Sequence, residues 1–131
     1  MLVKYKQDYE KIALGLLSFT PDLKKFDRLR AELDNYTTDD QLELDLWRTD
    51  QGDFVGIVGI EIESTYILLR HLAFTPDYRT EENAFAVLDA LTKRFPDKRL
   101  MAPVNMTEIV SAWERHQGER QADQDRSAEN R

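Results

Sequence analysis

Between Gln41 and Phe74 the apolar residues switch from a helical period to a period of two, and two tight turns cut this stretch into three segments of strand length. Leu42, Leu44 and Leu46 alternate with Glu43 and Asp45, which predicts a strand with one wet face. The turn Asp50-Gln51-Gly52-Asp53 leads into Phe54 to Glu63, apolar on both faces at first and alternating later. A central strand whose one end reaches solvent has that pattern. Gly56 and Gly59 within it mark either a close approach of another backbone or a bulge. Ser64-Thr65 then returns the chain into Tyr66 to Phe74. The expectation is three successive antiparallel strands, around which the rest must pack.

The flanking segments are helical in period. Leu2 to Lys6 reads as a short first strand, followed by Tyr9, Ile12, Ala13, Leu16 and Leu17 on one helix face, and Pro21 ends that helix. Asp22 is the expected N-cap of a second helix carrying Leu23, Phe26, Leu29, Leu33 and Tyr36. After Phe74, the residues Phe85, Leu88, Leu91 and Phe95 line a third helix that stops before Pro96, and Arg99 to Val104 reads as a strand. Asn105 with Glu108 forms a capping pair for a last helix reaching about Gln117. From Gly118 on no large apolar residue occurs, so 119–131 is expected to be a disordered tail. The predicted order is β-α-α-β-β-β-α-β-α, an α+β domain on a mixed sheet spanning residues 1–118.

Composition narrows the function. A chain of 131 residues with 41% hydrophobic content is sized for one domain with its own core. Without cysteine it holds no disulfide, thiolate metal site or cysteine nucleophile. The first residues lack the apolar stretch of a signal peptide and no apolar run approaches a membrane span, so a soluble, cytoplasmic protein is expected. A net charge of −7 disfavours nucleic acid, whose affinity comes largely from clustered Lys and Arg. No phosphate-binding P-loop, dinucleotide glycine fingerprint or nucleophile elbow is present, and His71 and His116, the two histidines, show no metal-ligand spacing.

The most informative stretch is Leu72-Ala73-Phe74-Thr75-Pro76-Asp77-Tyr78-Arg79-Thr80-Glu81-Glu82-Asn83-Ala84, a strand end running into a helix start. It resembles the cofactor loop of the GCN5-related N-acetyltransferases, in which a hydrophobic strand end is followed by Pro and then by Arg-x-x-Gly-x-Gly/Ala. Arg79 and Ala84 match, while Glu82 stands at the first glycine position. The predicted element order agrees with that fold over roughly residues 1–118. Within the superfamily the chain is similar to the small acetyltransferase-like proteins of riboflavin operons known as RibT, through Ile12-Ala13-Leu14-Gly15-Leu16-Leu17-Ser18-Phe19, Arg70-His71-Leu72, Leu88-Asp89-Ala90-Leu91 and Trp113-Glu114-Arg115-His116-Gln117-Gly118.

The resemblance implies acetyl-CoA as cosubstrate and an amine as acceptor. It implies that main-chain groups of Leu72 and Phe74 contact the pantetheine arm. Arg79, Thr80, Glu81, Glu82, Asn83 and Ala84 would supply pyrophosphate contacts at a helix N-terminus, where free amides and the macrodipole favour anions. Asn105 would be a further pantetheine contact, and equally fits a helix cap. His71, with an ordinary pKa near neutrality, is the candidate for removing the ammonium proton, with Glu61 and Glu63 as alternatives. A simple strand histidine is the plainer account. Trp113 stands where many members carry a Tyr that protonates the departing thiolate, and indole cannot serve as that acid. Glu82, Asn83 and Trp113 therefore also support a noncatalytic member of the fold that binds a protein partner or a metabolite. A homodimer through an exposed strand edge stays open.

Overall fold

The computed structural model describes residues 1–129, and its centre is one five-stranded sheet with the strands in sequential order. The elements are β1 (Leu2–Lys4), α1 (Glu10–Leu17), α2 (Phe26–Thr38), β2 (Leu42–Arg48), β3 (Phe54–Ile62), β4 (Tyr66–Phe74), α3 (Glu81–Arg94), β5 (Arg99–Met101) and α4 (Thr107–Glu129). Strands β1 to β4 pair antiparallel, and β5 joins parallel to β4. The mixed sheet and the α+β order are those expected from the sequence.

Helices cover both faces. On one, Ala13, Leu16 and Leu17 of α1 and Leu29 and Leu33 of α2 bury against Leu44, Leu46, Ile57 and Ala73. On the other, Val87, Leu88 and Leu91 of α3 with Val110 and Trp113 of α4 bury against Val58, Ile60, Ile67 and Leu69. Val55, Ile57, Val58 and Ile60 are thus buried on alternate faces, as a two-sided central strand requires. Among the described residues no helix is long and apolar enough to cross a membrane.

Both strand glycines have a steric cause. A Cβ at Gly56 would sit 2.7 Å from the Phe74 ring, and one at Gly59 would fall on the Tyr36 hydroxyl and lie 2.9 Å from Tyr36 Cε1. The close approach is made by aromatic side chains instead of backbone. A bulge also occurs at Gly59: β4 advances from Leu69 to His71 while β3 moves only from Ile60 to Gly59, which leaves Arg70 as the extra residue.

Four local expectations are corrected. The second helix begins at Phe26, because Pro21 starts a separate 3-10 turn over Pro21–Leu23, and Asp22 caps nothing. Asn105 lies inside the 3-10 turn Val104–Met106; α4 starts at Thr107, whose hydroxyl donates to the Pro103 carbonyl. Asp45, expected on a wet face, is fully buried because α3 covers that face and brings Arg94 over it. Finally, α4 continues to Glu129, past Gln117. Its residues favour helix without needing burial, and they pair locally, Arg126 with Asp123 and Gln121 with Asp125. Of the expected tail, 130 and 131 lie outside the described residues.

Candidate functional site

The site begins where the sheet comes apart. Strand β5 pairs with β4 only at Tyr66, Ile67 and Leu68, yet β4 runs on to Phe74. From Leu69 onward β4 therefore has no neighbouring strand on that side among the described residues, and its outward main-chain groups short of the Phe74 carbonyl are free to meet a ligand. A cleft of about 580 Å³ opens there. Leu72, Ala73 and Phe74 form its floor, Arg79 to Glu81 with Ala84 one wall, and Asn105, Met106 and Ile109 the other. Phe19, Thr20 and Pro21, from the α1–α2 connection, close the top.

Pro76 starts a 3-10 turn over Pro76–Tyr78 that carries the chain from β4 into α3. Thr80 caps the helix, accepting at its hydroxyl from the Asn83 amide at 3.2 Å. The amides of Arg79 and Thr80 are used within the turn, by Pro76 and Tyr78 carbonyls. This leaves the amides of Glu81 and Glu82 as the unpartnered donors of the first turn among the described residues. The Arg79 guanidinium donates to the Phe74 carbonyl at 3.1 Å and lies 5.3 Å from the centre of the Phe19 ring. It brings the one positive charge of the cleft wall to the place where the strand ends.

The candidate residues do not all converge. Leu72, Phe74, Arg79, Thr80, Glu81, Ala84 and Asn105 line the cleft. Glu82 does not: it borders a separate groove between α3 and α4, with Phe85, His116 and Arg120, and Glu81 borders that groove too. Glu81 is the acidic residue that borders the cleft, at the junction of the two openings. Asn83 turns its amide nitrogen back onto the Tyr78 carbonyl at 3.0 Å and so holds the loop instead of facing the opening. Glu61 and Glu63 lie at the far end of the sheet, Glu61 opposite Leu68.

His71 sits on β4 one residue before the cleft floor but points to the α2 side. It is 9% exposed, and its Nδ1 lies 2.5 Å from the Tyr36 hydroxyl. Burial pushes the imidazole below its ordinary pKa and pushes the Tyr36 phenol well above its own, so both are neutral near pH 7. Trp113 is 9% exposed and packed in the α3–α4 core, where its Nε1 donates to Asp89 at 2.9 Å. Gln117 and Arg120 reach the same carboxylate, which makes Asp89 a clip between α3 and α4. Trp113 is thus a structural residue.

Sequence reasoning missed the cleft's roof and part of its wall. Phe19 and Pro21 were legible only as a helix end, although an aromatic beside a helix-breaking proline is a signal of an apolar loop. Met106 and Ile109 belong to an unremarkable helix start. Tyr36 had been placed in the core, and its hydroxyl, which needs a partner when buried, was the missed clue.

A strand edge left open beside a helix N-terminus, with an arginine between, suits a long ligand whose anionic end meets the amides and whose extended part follows the strand. Comparison with other proteins agrees. No model of a protein family matches the chain. The chain is 31% identical over 115 residues to an uncharacterized N-acetyltransferase in the lysA 3′ region of Bacillus methanolicus, covering 87% of this chain and 95% of that protein. The solved structure of AAC(6′)-Iy with a CoA-based bisubstrate analogue superposes with a TM-score of 0.68 at 15% identity, over 90% of this chain and 87% of that one. The ribosomal-protein-alanine N-acetyltransferase of Brucella melitensis biovar Abortus 2308 does so with 0.63 at 18% identity, over 88% and 89%. This chain belongs to the GCN5-related N-acetyltransferase superfamily.

Proposed function

We propose that this protein binds acetyl-CoA in the cleft beside β4 and transfers the acetyl group to an amine by direct attack. The observation that carries this reading is the parting of β4 from β5 after Leu68, directly beside the free amides of Glu81 and Glu82. These amides and Arg79 would hold the pyrophosphate, and the main chain of Leu72 to Phe74 would run along the pantetheine arm. The donor set fits such a group: amides and a guanidinium for the anion, an apolar channel for the arm. Similarity to the acetyltransferase-like proteins of riboflavin operons supports placing this chain among them. The working unit is proposed to be residues 1–118. Beyond it Arg120 holds Asp89 through an exposed pair worth well under about 1 kcal/mol, so truncation after 118 is expected to move the melting temperature by only a few degrees.

Calorimetric titration with acetyl-CoA tests the cleft. Wild type is expected to bind in the micromolar range. Arg79→Ala should weaken binding about tenfold, the loss of one charge-assisted contact. Removing the negative charge beside the cleft with Glu81→Gln should tighten it about fivefold, on the order of 1 kcal/mol. Glu82→Gln, at a residue that borders only the other groove, should change it less than about twofold. Equal effects at Glu81 and Glu82 would contradict the placement of the cleft. A second reading, a noncatalytic member binding a protein partner or a metabolite, rests on Trp113 being locked in the core where many relatives carry an acid. Failure of wild type to bind acetyl-CoA would favour it.

A further inference from the structure

Resting on the acetyl-transfer reading, we propose that Tyr36 is a positioning residue: its hydroxyl donates to His71 Nδ1, fixing the ring with the proton on Nε2, so that His71 serves the reaction as a neutral hydrogen-bond donor and not as a base.

Several independent features point this way. The Oη to Nδ1 separation is 2.5 Å, between side chains 7% and 9% exposed. Nδ1 and Oη share one proton between them, and the surroundings decide its owner. The Arg70 guanidinium lies 5.0 Å from the centre of the Tyr36 ring, which polarises the phenol toward giving a hydrogen bond and disfavours a second cation on His71. The charged groups around the imidazole are Glu32 from α2, Arg70 from β4 and Asp22 from the Pro21–Leu23 turn. Of these, Glu32 and Arg70 approach to 2.7 Å, an ion pair at an angle that leaves Glu32 Oε1 without a good hydrogen bond. Burial, the largest influence on both rings, keeps the phenol protonated and the imidazole neutral.

The backbone is shaped for this pair. The extra residue of the β4 bulge lets both Arg70 and His71 turn to the α2 side. On β3, Gly59 leaves the space that the Tyr36 hydroxyl fills. Nε2 makes no hydrogen bond within the described residues, and it is not among the enclosed, unpartnered side-chain atoms. It is therefore the one polar atom of the pair still able to act on something outside the protein, one residue before the cleft floor. In the reaction, the amine nitrogen forms a bond to the thioester carbon and the carbon–sulfur bond breaks. The ammonium first gives one proton to water, which frees the lone pair for attack, and the second proton passes from nitrogen to the leaving sulfur. His71 keeps its proton throughout and only lends it to the carbonyl oxygen as charge gathers there.

The test uses the full chain with acetyl-CoA and a panel of primary amines: putrescine, spermidine, kanamycin and lysine methyl ester. Nitrogen-15 NMR of histidine-labelled protein, with His71→Gln for assignment against His116, should show His71 as the Nε2–H form at about pH 7.5. Tyr36→Phe should average the two tautomers. It should lower kcat about tenfold to a hundredfold, leave KM for acetyl-CoA unchanged, and add no limb to the pH profile. An Nδ1–H or doubly protonated ring in wild type overturns the proposal, as does unchanged kcat in Tyr36→Phe or a wild-type limb that vanishes in His71→Gln. If the NMR result holds but wild type neither binds acetyl-CoA nor acetylates any amine, the acetyl-transfer reading fails, and the role of His71 in it falls too.

Discussion

Gly59→Ala should lower the melting temperature by about 10–15 °C, a loss of about 3–4 kcal/mol, in thermal unfolding followed by circular dichroism. A methyl group here cannot be absorbed by a small adjustment, because it meets both the hydroxyl and the ring of Tyr36. Tyr36 is itself held between Arg70 and the core, so it must leave its place. Two costs then add: overpacking of a buried ring, and a buried His71 Nδ1 left without its partner. Gly15, where an added Cβ would meet nothing within 4 Å, is the control. In Gly15→Ala stability should be unchanged or rise by up to about 1 kcal/mol, since alanine favours helix. Equal effects at the two glycines would contradict the close approach of Tyr36.

The second large effect belongs to Arg94. Its Nη1 lies 2.8 Å from Asp45 and 2.9 Å from Glu43, at the end of α3, with Lys4 3.3 Å from Glu43 on the outer side. Asp45 is fully buried and one of its oxygens, Oδ2, has no hydrogen-bond partner. Burial, with Glu43 adding to it, raises the Asp45 carboxyl to about 7, against the opposing pull of Arg94. Glu43 is held below its ordinary value: burial works against this, and the neighbouring Asp45 carboxyl, Arg94 and Lys4 together outweigh it.

The direction of the pH effect follows. Native Asp45 keeps a proton that the unfolded chain has released, so its contribution to stability falls as pH rises from about 4 to about 7. Glu43 acts in reverse, and its contribution is lost as pH falls through and below the ordinary glutamate range. Arg94→Met should therefore cost about 3 kcal/mol at pH 8, where two buried carboxylates lose their cation, and about half of that at pH 5.5, where Asp45 is protonated. Asp45→Asn should flatten the decline between pH 4 and 7. Urea unfolding at the two pH values reads both. An Arg94→Met cost that is the same at pH 5.5 and pH 8 would exclude the shared proton.

Much of the fold was legible because it rests on period. The alternation of Leu42, Leu44 and Leu46, the doubly apolar start of β3 and the helical spacing of Leu88 and Leu91 each report a local geometry that burial enforces. What failed to read through was tertiary. Glu43 and Asp45 alternate like a wet face, and only the arrival of Arg94 from α3 makes that face an interior. Residues 118 to 127 are exposed, and the helix there follows from propensity and local pairs, which a search for apolar residues passes over. At the site, the sequence located the loop but not the direction of its side chains. One position of helical rotation separates Glu81, which borders both the cleft and the neighbouring groove, from Glu82, which borders the groove alone. That rotation depends on where Thr80 starts the helix, which spacing fixes only to within a residue or two.

The open edge of β4 is also a hazard. A row of unpaired strand groups is a template to which another chain's strand can add, and proteins protect such edges with charge, bulges or cover. Here all three meet on one strand. The bulge at Arg70 bends the edge, Phe19 and Pro21 overhang it, and Arg79 places a cation on its last carbonyl, that of Phe74. The arginine proposed to meet an anion thereby also covers the edge against association with another strand. Replacing it exposes the chain to aggregation even where nothing binds in the cleft.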